Sequence, residues 1–284
     1  MKFYKEFADQ ARHAPHTEWG KLGDIARKKT IREHLGIDGE KVFIFRHEDC
    51  HKAYGYYSCP YEKGSTLILT LEGGGDDSSA TVSVVDAGEK ITEKWSSNAV
   101  MAGRVYAYIT LVLGMKPGQH EYKVMGLAPY GNSYVGQSSL NVFRSISRNE
   151  NGLIHNNNVY PDSYFSMQSA LEGHRFDGIA WGLQSWIEEL MCDWVKQNIA
   201  KYNISKVILS GGVAQNIKAV KAIGDMNEVE WVWAGPITGD GSLGIGAAFL
   251  ASKKLHPECK IDSIETIYLG AEYSSDRVIS AVSK

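Results

Sequence analysis

A chain of 284 residues that is 43% hydrophobic and 22% charged has the composition of an ordinary soluble globular protein, and its length suits one large domain or two closely packed ones. Its formal net charge of −3 excludes a global electrostatic pull toward nucleic acid or anionic lipid. No apolar run reaches the length of a membrane span, and Met1 to Arg12 are amphipathic and mixed in charge, which excludes an ordinary secretory signal.

The first forty residues read as charged helix, with Arg27, Lys28, Lys29, Arg32 and Glu33 on a solvated face, closing at Gly36 and Gly39 before a short apolar strand over Val42 to Phe45. His47-Glu48-Asp49-Cys50-His51 follows, on a helix that Gly55 and Pro60 keep short. Residues i and i+4 lie above one another on a helix face, so two imidazoles can converge there on one divalent cation. Taken literally, the five residues also match the H-E-x-x-H pattern of zinc peptidases, with Glu48 as general base and Glu72 as third ligand. The setting of Glu72 argues against that: it ends the apolar run Thr66 to Leu71 and precedes Gly73, Gly74 and Gly75, as a strand entering a tight turn does. The four cysteines, Cys50, Cys59, Cys192 and Cys259, show no CxxC spacing and fit a reduced, cytoplasmic protein, with Cys50 turned away from the face the histidines share.

Thr66 to Leu71 and Ala80 to Val85 read as a hairpin with a glycine-rich, acid-bearing tip. A helix is expected from Ala102 to Leu113, followed by the block Glu121-Tyr-Lys-Val-Met-Gly-Leu-Ala-Pro-Tyr-Gly131. The polar stretch Asn132 to Gly173 reads as an irregular insertion at the rim of a site, its Tyr134, Tyr160, Tyr164 and Phe165 free to stack on an acceptor or simply to pack. A long helix from Asp177 to about Tyr202 carries a buried stripe of Ile179, Leu183, Trp186, Ile187, Leu190, Trp194 and Ile199. Strand Lys206 to Leu209, helix Ala214 to Ile223, strand Val229 to Trp233 and helix Ser242 to Lys253 then alternate as an α/β layer does.

Three glycine-rich turns stand at strand ends: Gly73 to Gly75, Gly211-Gly212, and Gly239-Asp240-Gly241. Without a Cβ, backbone N–H groups can approach a phosphate closely, and the last two turns enter helices whose N-termini add partial positive charge. Together they point to a nucleotide in the cleft; read singly, each is a structural turn.

In this order, His47-xxx-His51, Leu71-Glu-Gly-Gly-Gly, the block from Glu121 to Gly131, Ser210-Gly-Gly-Val-Ala-Gln-Asn216 and Gly239-Asp-Gly-Ser-Leu-Gly-Ile-Gly-Ala-Ala248 closely resemble the O-carbamoyltransferase family of nodulation-factor and tobramycin-type antibiotic biosynthesis. The resemblance runs from about His47 to Leu269, and its most specific block is that from Glu121 to Gly131. It implies the α/β actin-like ATPase fold shared with the tRNA threonylcarbamoyl transferases, with mixed sheets flanked by helices around a nucleotide cleft. It further implies transfer of a carbamoyl group from ATP-derived carbamoyl-adenylate to a hydroxyl of a small-molecule acceptor. Carried over residue by residue, His47, His51 and Asp240 would hold the metal, Fe(II) or Zn. Gly73, Gly74, Gly211, Gly212 and Asn216 would meet the nucleotide. Glu72 stands where family members usually carry Asp, its extra methylene still placing an oxygen near the metal, and Lys123 would stabilise negative charge near the acceptor or carbamoyl group.

Family members begin with a strand block bearing a His-Asp-x-Ser-like turn, and nothing before His47 matches it. They end with a second domain that makes the adenylate from carbamoyl phosphate and ATP, whereas this chain stops near the expected junction, after Tyr268. The organisation expected is therefore a helical lead-in and first-lobe remnant over 1–46 and a metal- and nucleotide-binding core over 47–272, an incomplete actin-like unit that needs the adenylate-forming domain or subunit as partner. A non-catalytic nucleotide- or metal-binding subunit is the other reading of the same residues.

Overall fold

The described part of the charged lead-in contains helix α1 (Trp19–Leu35), with Arg32 and His34 in its last turn. It opens the part of the chain that the computed structural model describes: residues 19–86, 88–157, 162–264, 266–268 and 270–283. The amphipathic stretch Met1 to Arg12 and Tyr160 lie outside it. Val42 to Phe45, expected as a strand, joins no sheet. Its β-branched and aromatic residues lack a neighbouring strand to pair with, and Phe43 instead lies under the Lys254 ammonium, 4.7 Å from the ring centroid.

The histidine helix α2 (His47–Ser58) leads into β1 (Thr66–Leu71), β2 (Ala80–Val85) and β3 (Ile91–Ser97). Helices α3 (Ala102–Val112), α4 (Glu121–Leu127) and α5 (Ser133–Arg144) follow, then the hairpin β4 (Ser147–Glu150) and β5 (Leu153–Asn156), and α6 (Ser163–Ala170). The last stretch runs through α7 (Phe176–Tyr202), β6 (Lys206–Ser210), α8 (Ile217–Gly224), β7 (Trp231–Ala234), α9 (Leu243–Leu255) and α10 (Ser275–Val282). No helix among the described residues is long and apolar enough to cross a membrane.

One mixed sheet organises these elements, in the order β3-β2-β1-β6-β7. On one side of β1 the chain returns as an antiparallel meander, β1 with β2 and β2 with β3; on the other, β6 and β7 run parallel to it. All six residues of β1 are buried, as expected of a strand covered on both faces. Leu67, Leu69, Leu71, Val207 and Leu209 face the large core with Trp186 and Trp194 of α7, while Ile68 and Ile208 face Tyr56 and Cys59 at the end of α2. The sheet is thus a partition between α7 and α2, and its upper edge carries the turns after β1 and β6.

The described residues of 132–173 form helices and a hairpin rather than an irregular insertion. The Asn132 side chain caps α5 by accepting from the N–H groups of Tyr134 and Val135. Asn151 and Gly152 both take positive φ, 55° and 76°, the paired left-handed turn that closes a two-residue hairpin. Helix α5 crosses α7 where Gly136, Gly178 and Gly182 leave no room for a Cβ: one on Gly178 would lie 2.3 Å from the Val135 carbonyl oxygen.

All four cysteines are free. Burial pushes the Cys50 and Cys192 thiols up to about 11, and raises Cys59 as well. A thiol attacks as its thiolate, so at pH 8 an aromatic disulfide reagent should titrate Cys259 promptly and the other three only after denaturation. Prompt release from all four in the folded chain contradicts this packing.

Candidate metal centre

His47 opens α2 and His51 lies one turn on, so the helix sets their Nε2 atoms 3.1 Å apart. Two loops bring acids to that point. Glu72 leaves the end of β1, and its Oε1 is 2.9 Å from His51 Nε2. Asp240 begins a short 3-10 turn before α9, with Oδ1 3.5 Å from His47 Nε2 and 3.7 Å from His51 Nε2. Donor atoms of these four residues all lie within 4.8 Å of one another. The sequence pair and its distant aspartate therefore meet, and Glu72 stands among them.

The protons around His51 decide what this cluster can hold. Ser242 Oγ lies 2.8 Å from the Gly239 carbonyl oxygen, which only accepts, so the hydroxyl proton is spent there. Toward His51 Nδ1, 3.2 Å away, Ser242 must then accept. That fixes the proton on Nδ1 and leaves the Nε2 lone pair facing His47 and Glu72, the tautomer that ligates a metal. A carboxylate oxygen and an imidazole lone pair at this separation repel unless a cation or proton lies between them. The donor set of two imidazoles and two carboxylates fits a divalent transition ion such as Fe(II) or Zn.

The Gly211-Gly212 turn makes close backbone contact with Glu72. The Gly212 N–H donates to Glu72 Oε1 at 2.5 Å, and a Cβ on Gly212 would come within 2.9 Å of Glu72 Oε2. Gly211 adopts φ +92°, and a Cβ there would lie 2.6 Å from the Leu71 carbonyl oxygen. The turn seats Glu72. From the other side Gly103, at the start of α3, presses on the same backbone, with space for a Cβ closed by Gly73 N at 2.5 Å.

Beside the cluster opens a cleft of about 430 Å³. Glu72, Gly73, Gly212, Asn216 and Asp240 line it, together with Glu121, Tyr122 and Met125 of the specific block. Gly74, Gly211 and Lys123 are not among the lining residues. Lys123 is exposed, its ammonium 5.9 Å from the centroid of the Tyr122 ring. Asn216 faces the cleft but is held from behind: its Oδ1 accepts from the Ala219 N–H and from Gln184 Nε2, and its Nδ2 donates to Gln184 Oε1. Gln184 also accepts from the Tyr106 hydroxyl at 3.0 Å. Neither Tyr106 nor Gln184 was singled out in the sequence; an amide inside a long apolar stripe was the available signal for Gln184.

Glu48, the base of the peptidase reading, is fully buried, and it is not one of the four clustered residues. Its carboxylate reaches the Gly75 turn instead.

Residues 21–249 match the family described as Carbamoyltransferase N-terminus. An uncharacterized protein of Methanocaldococcus jannaschii is 24% identical over 285 residues, covering 94% of this chain and 46% of its own length. The nodulation protein NolNO of Sinorhizobium fredii is 24% identical over 247 residues, covering 86% of this chain and 36% of its own. NolO, a nodulation protein of Bradyrhizobium diazoefficiens, is 22% identical over 238 residues, at 81% and 42%. The chain thus spans less than half the length of these relatives.

Proposed function

Since the chain belongs to the carbamoyltransferase N-terminus family, we propose that it carries the transfer site of a carbamoyltransferase, moving a carbamoyl group from carbamoyl-adenylate to a hydroxyl of a small-molecule acceptor. The observation that carries this reading is the convergence of His47, His51, Glu72 and Asp240 at the mouth of a cleft lined by the Glu121–Met125 block and the Gly212 turn. We assign an actin-like ATPase fold on the same grounds; the meander-plus-parallel sheet that places Glu72 and Gly212 on adjacent strand ends supports it.

His47, His51, Glu72 and Asp240 would hold the ion, which when bound supplies positive charge to offset developing negative charge on phosphate or carbonyl oxygen. The chain's own residues contribute position. Glu72 is fixed by the Gly212 N–H and His51 by Ser242. The amide pair Gln184–Asn216 stiffens the cleft floor. In the reaction the acceptor oxygen bonds to the carbamoyl carbon, the bond from that carbon to the adenylate oxygen breaks, AMP departs, and the hydroxyl proton passes to solvent. Holding the two reactants together contributes up to roughly 7–11 kcal/mol. The reading needs a source of adenylate, which we assign to a carbamoyl-phosphate-using domain or subunit.

The test is incubation of the Fe(II)- or Zn-loaded chain with preformed carbamoyl-adenylate and a panel of hydroxyl acceptors, alone and together with the remaining portion of a full-length relative. AMP release matched by a carbamate ester is expected in at least the complemented mixture. Absence of both products, with no adenylate binding by calorimetry, would overturn the proposal; binding without transfer would favour a non-catalytic subunit.

A further inference from the structure

Glu48 has an exposure of 0%, and neither of its carboxylate oxygens finds a hydrogen-bond partner among the described residues. Its side chain enters the turn after β1: an ideal Cβ on Gly75 would fall 1.7 Å from Glu48 Oε1 and 2.7 Å from the Ser78 carbonyl oxygen. Both oxygens therefore crowd one point, within the span that a cation with ligand distances of about 2.3–2.6 Å bridges. The Ser78 hydroxyl is likewise buried and unpartnered.

Asp49, Asp76, Asp77 and Glu93 surround the start of α2, and the two basic side chains there are committed elsewhere. Arg46 pairs with Asp77 at 2.9 Å and lies 3.6 Å from Glu93 and 3.8 Å from Asp49. Lys52 pairs with Asp49 and Glu93. Asp76 uses Oδ2 to accept from the His47 N–H at 3.0 Å, and Asp77 uses Oδ1 on Arg46.

A buried carboxylate surrounded by acceptors demands compensation by a cation, a donor or its own proton. We propose that Glu48 and the carbonyl and hydroxyl of Ser78, at the turn after β1, form a second cation site, of the oxygen-ligand class that takes calcium, separate from the His47–His51 cluster. Glu48 and Ser78 offer oxygen donors alone, which distinguishes this point from the imidazole-bearing cluster and selects a hard ion with flexible geometry. This inference is independent of the transfer reaction.

The test uses the full chain, stripped by chelator, with His47 and His51 both replaced by alanine so that the first cluster is disabled. Calorimetric titration with calcium chloride, against potassium chloride at matched ionic strength, is expected to show a single calcium equivalent. Glu48→Gln, which keeps the side-chain volume, should abolish that heat, and Ser78→Ala should weaken it by roughly tenfold. The same pair of substitutions in the otherwise unaltered chain, with calcium-induced thermal shift as readout, covers the case in which the alanine background fails to fold. Calcium binding that survives Glu48→Gln overturns the proposal. So does an absence of calcium binding by the chain with Glu48 intact, and a higher melting temperature for the metal-free Glu48→Gln chain then identifies a carboxyl that compensates by keeping its proton.

Discussion

His51→Ala is expected to abolish retention of Fe(II) or Zn, with a loss of affinity well beyond the roughly 10–100-fold that removal of an outer-shell partner costs. His51 is the hub of the cluster: its Nε2 faces His47, Glu72 and Asp240 at 3.1, 2.9 and 3.7 Å. The substitution also empties a fully buried position, so a loss of fold has to be separated from a loss of ligand. Asp240→Asn makes that separation, because the Asp240 side chain is 74% exposed and its replacement leaves packing intact. It should weaken metal binding while leaving the melting temperature of the metal-free protein unchanged. Ser242→Ala, which frees the His51 tautomer, should fall within the outer-shell range. Metal analysis after gel filtration orders the series. Equal metal content in His51→Ala, Asp240→Asn and the unaltered chain would remove the basis of the proposed centre.

For stability the largest effect is expected at Trp194. The indole is fully buried in α7, meets Trp95 edge-on at 6.5 Å, and donates from Nε1 to the Gly152 carbonyl at 3.0 Å. Trp194→Ala removes a large apolar side chain and one of the two side-chain bonds to the Gly152 carbonyl, the other coming from Asn198. A loss of about 3–5 kcal/mol follows from truncations of this class. Denaturant unfolding should report it as a lower midpoint with an unchanged slope. A loss under about 1 kcal/mol would mean that α7 is not the core spine described here.

The parts of this fold that were readable in the sequence are those where one short-range pattern suffices. The runs Thr66–Leu71 and Ala80–Val85 are the strands β1 and β2 to the residue, because apolar and β-branched residues bounded by Gly and Asp have few alternatives. The histidine spacing set the geometry of half the metal cluster, since a helix carries i and i+4 to one face. Strand β3 was not anticipated: Ile-Thr-Glu-Lys-Trp-Ser-Ser lies at the sheet edge with Glu93 and Lys94 exposed, so its pattern is that of a polar loop. The reverse error occurred at Val42 to Phe45, where strong β propensity had no partner. In 132–173 polar composition masked real signals, the Asn132 cap and the Asn151-Gly152 turn. Within the site, the role of Gly211 and Gly212 in seating Glu72 depends on contact between strands far apart in the chain, which no local pattern encodes.

The unequal burial of the four clustered side chains sets how an ion travels. His51 and Glu72 are enclosed and His47 is nearly so, while Asp240 stands in solvent on its short turn. Traffic of an ion held there would be one-sided: loading and leaching would both pass the aspartate, and neither would require global opening of the protein. Chelators should extract the ion at a rate set by local movement of that turn, and any reactant that reaches the ion must dock from the same direction, displacing water as it arrives.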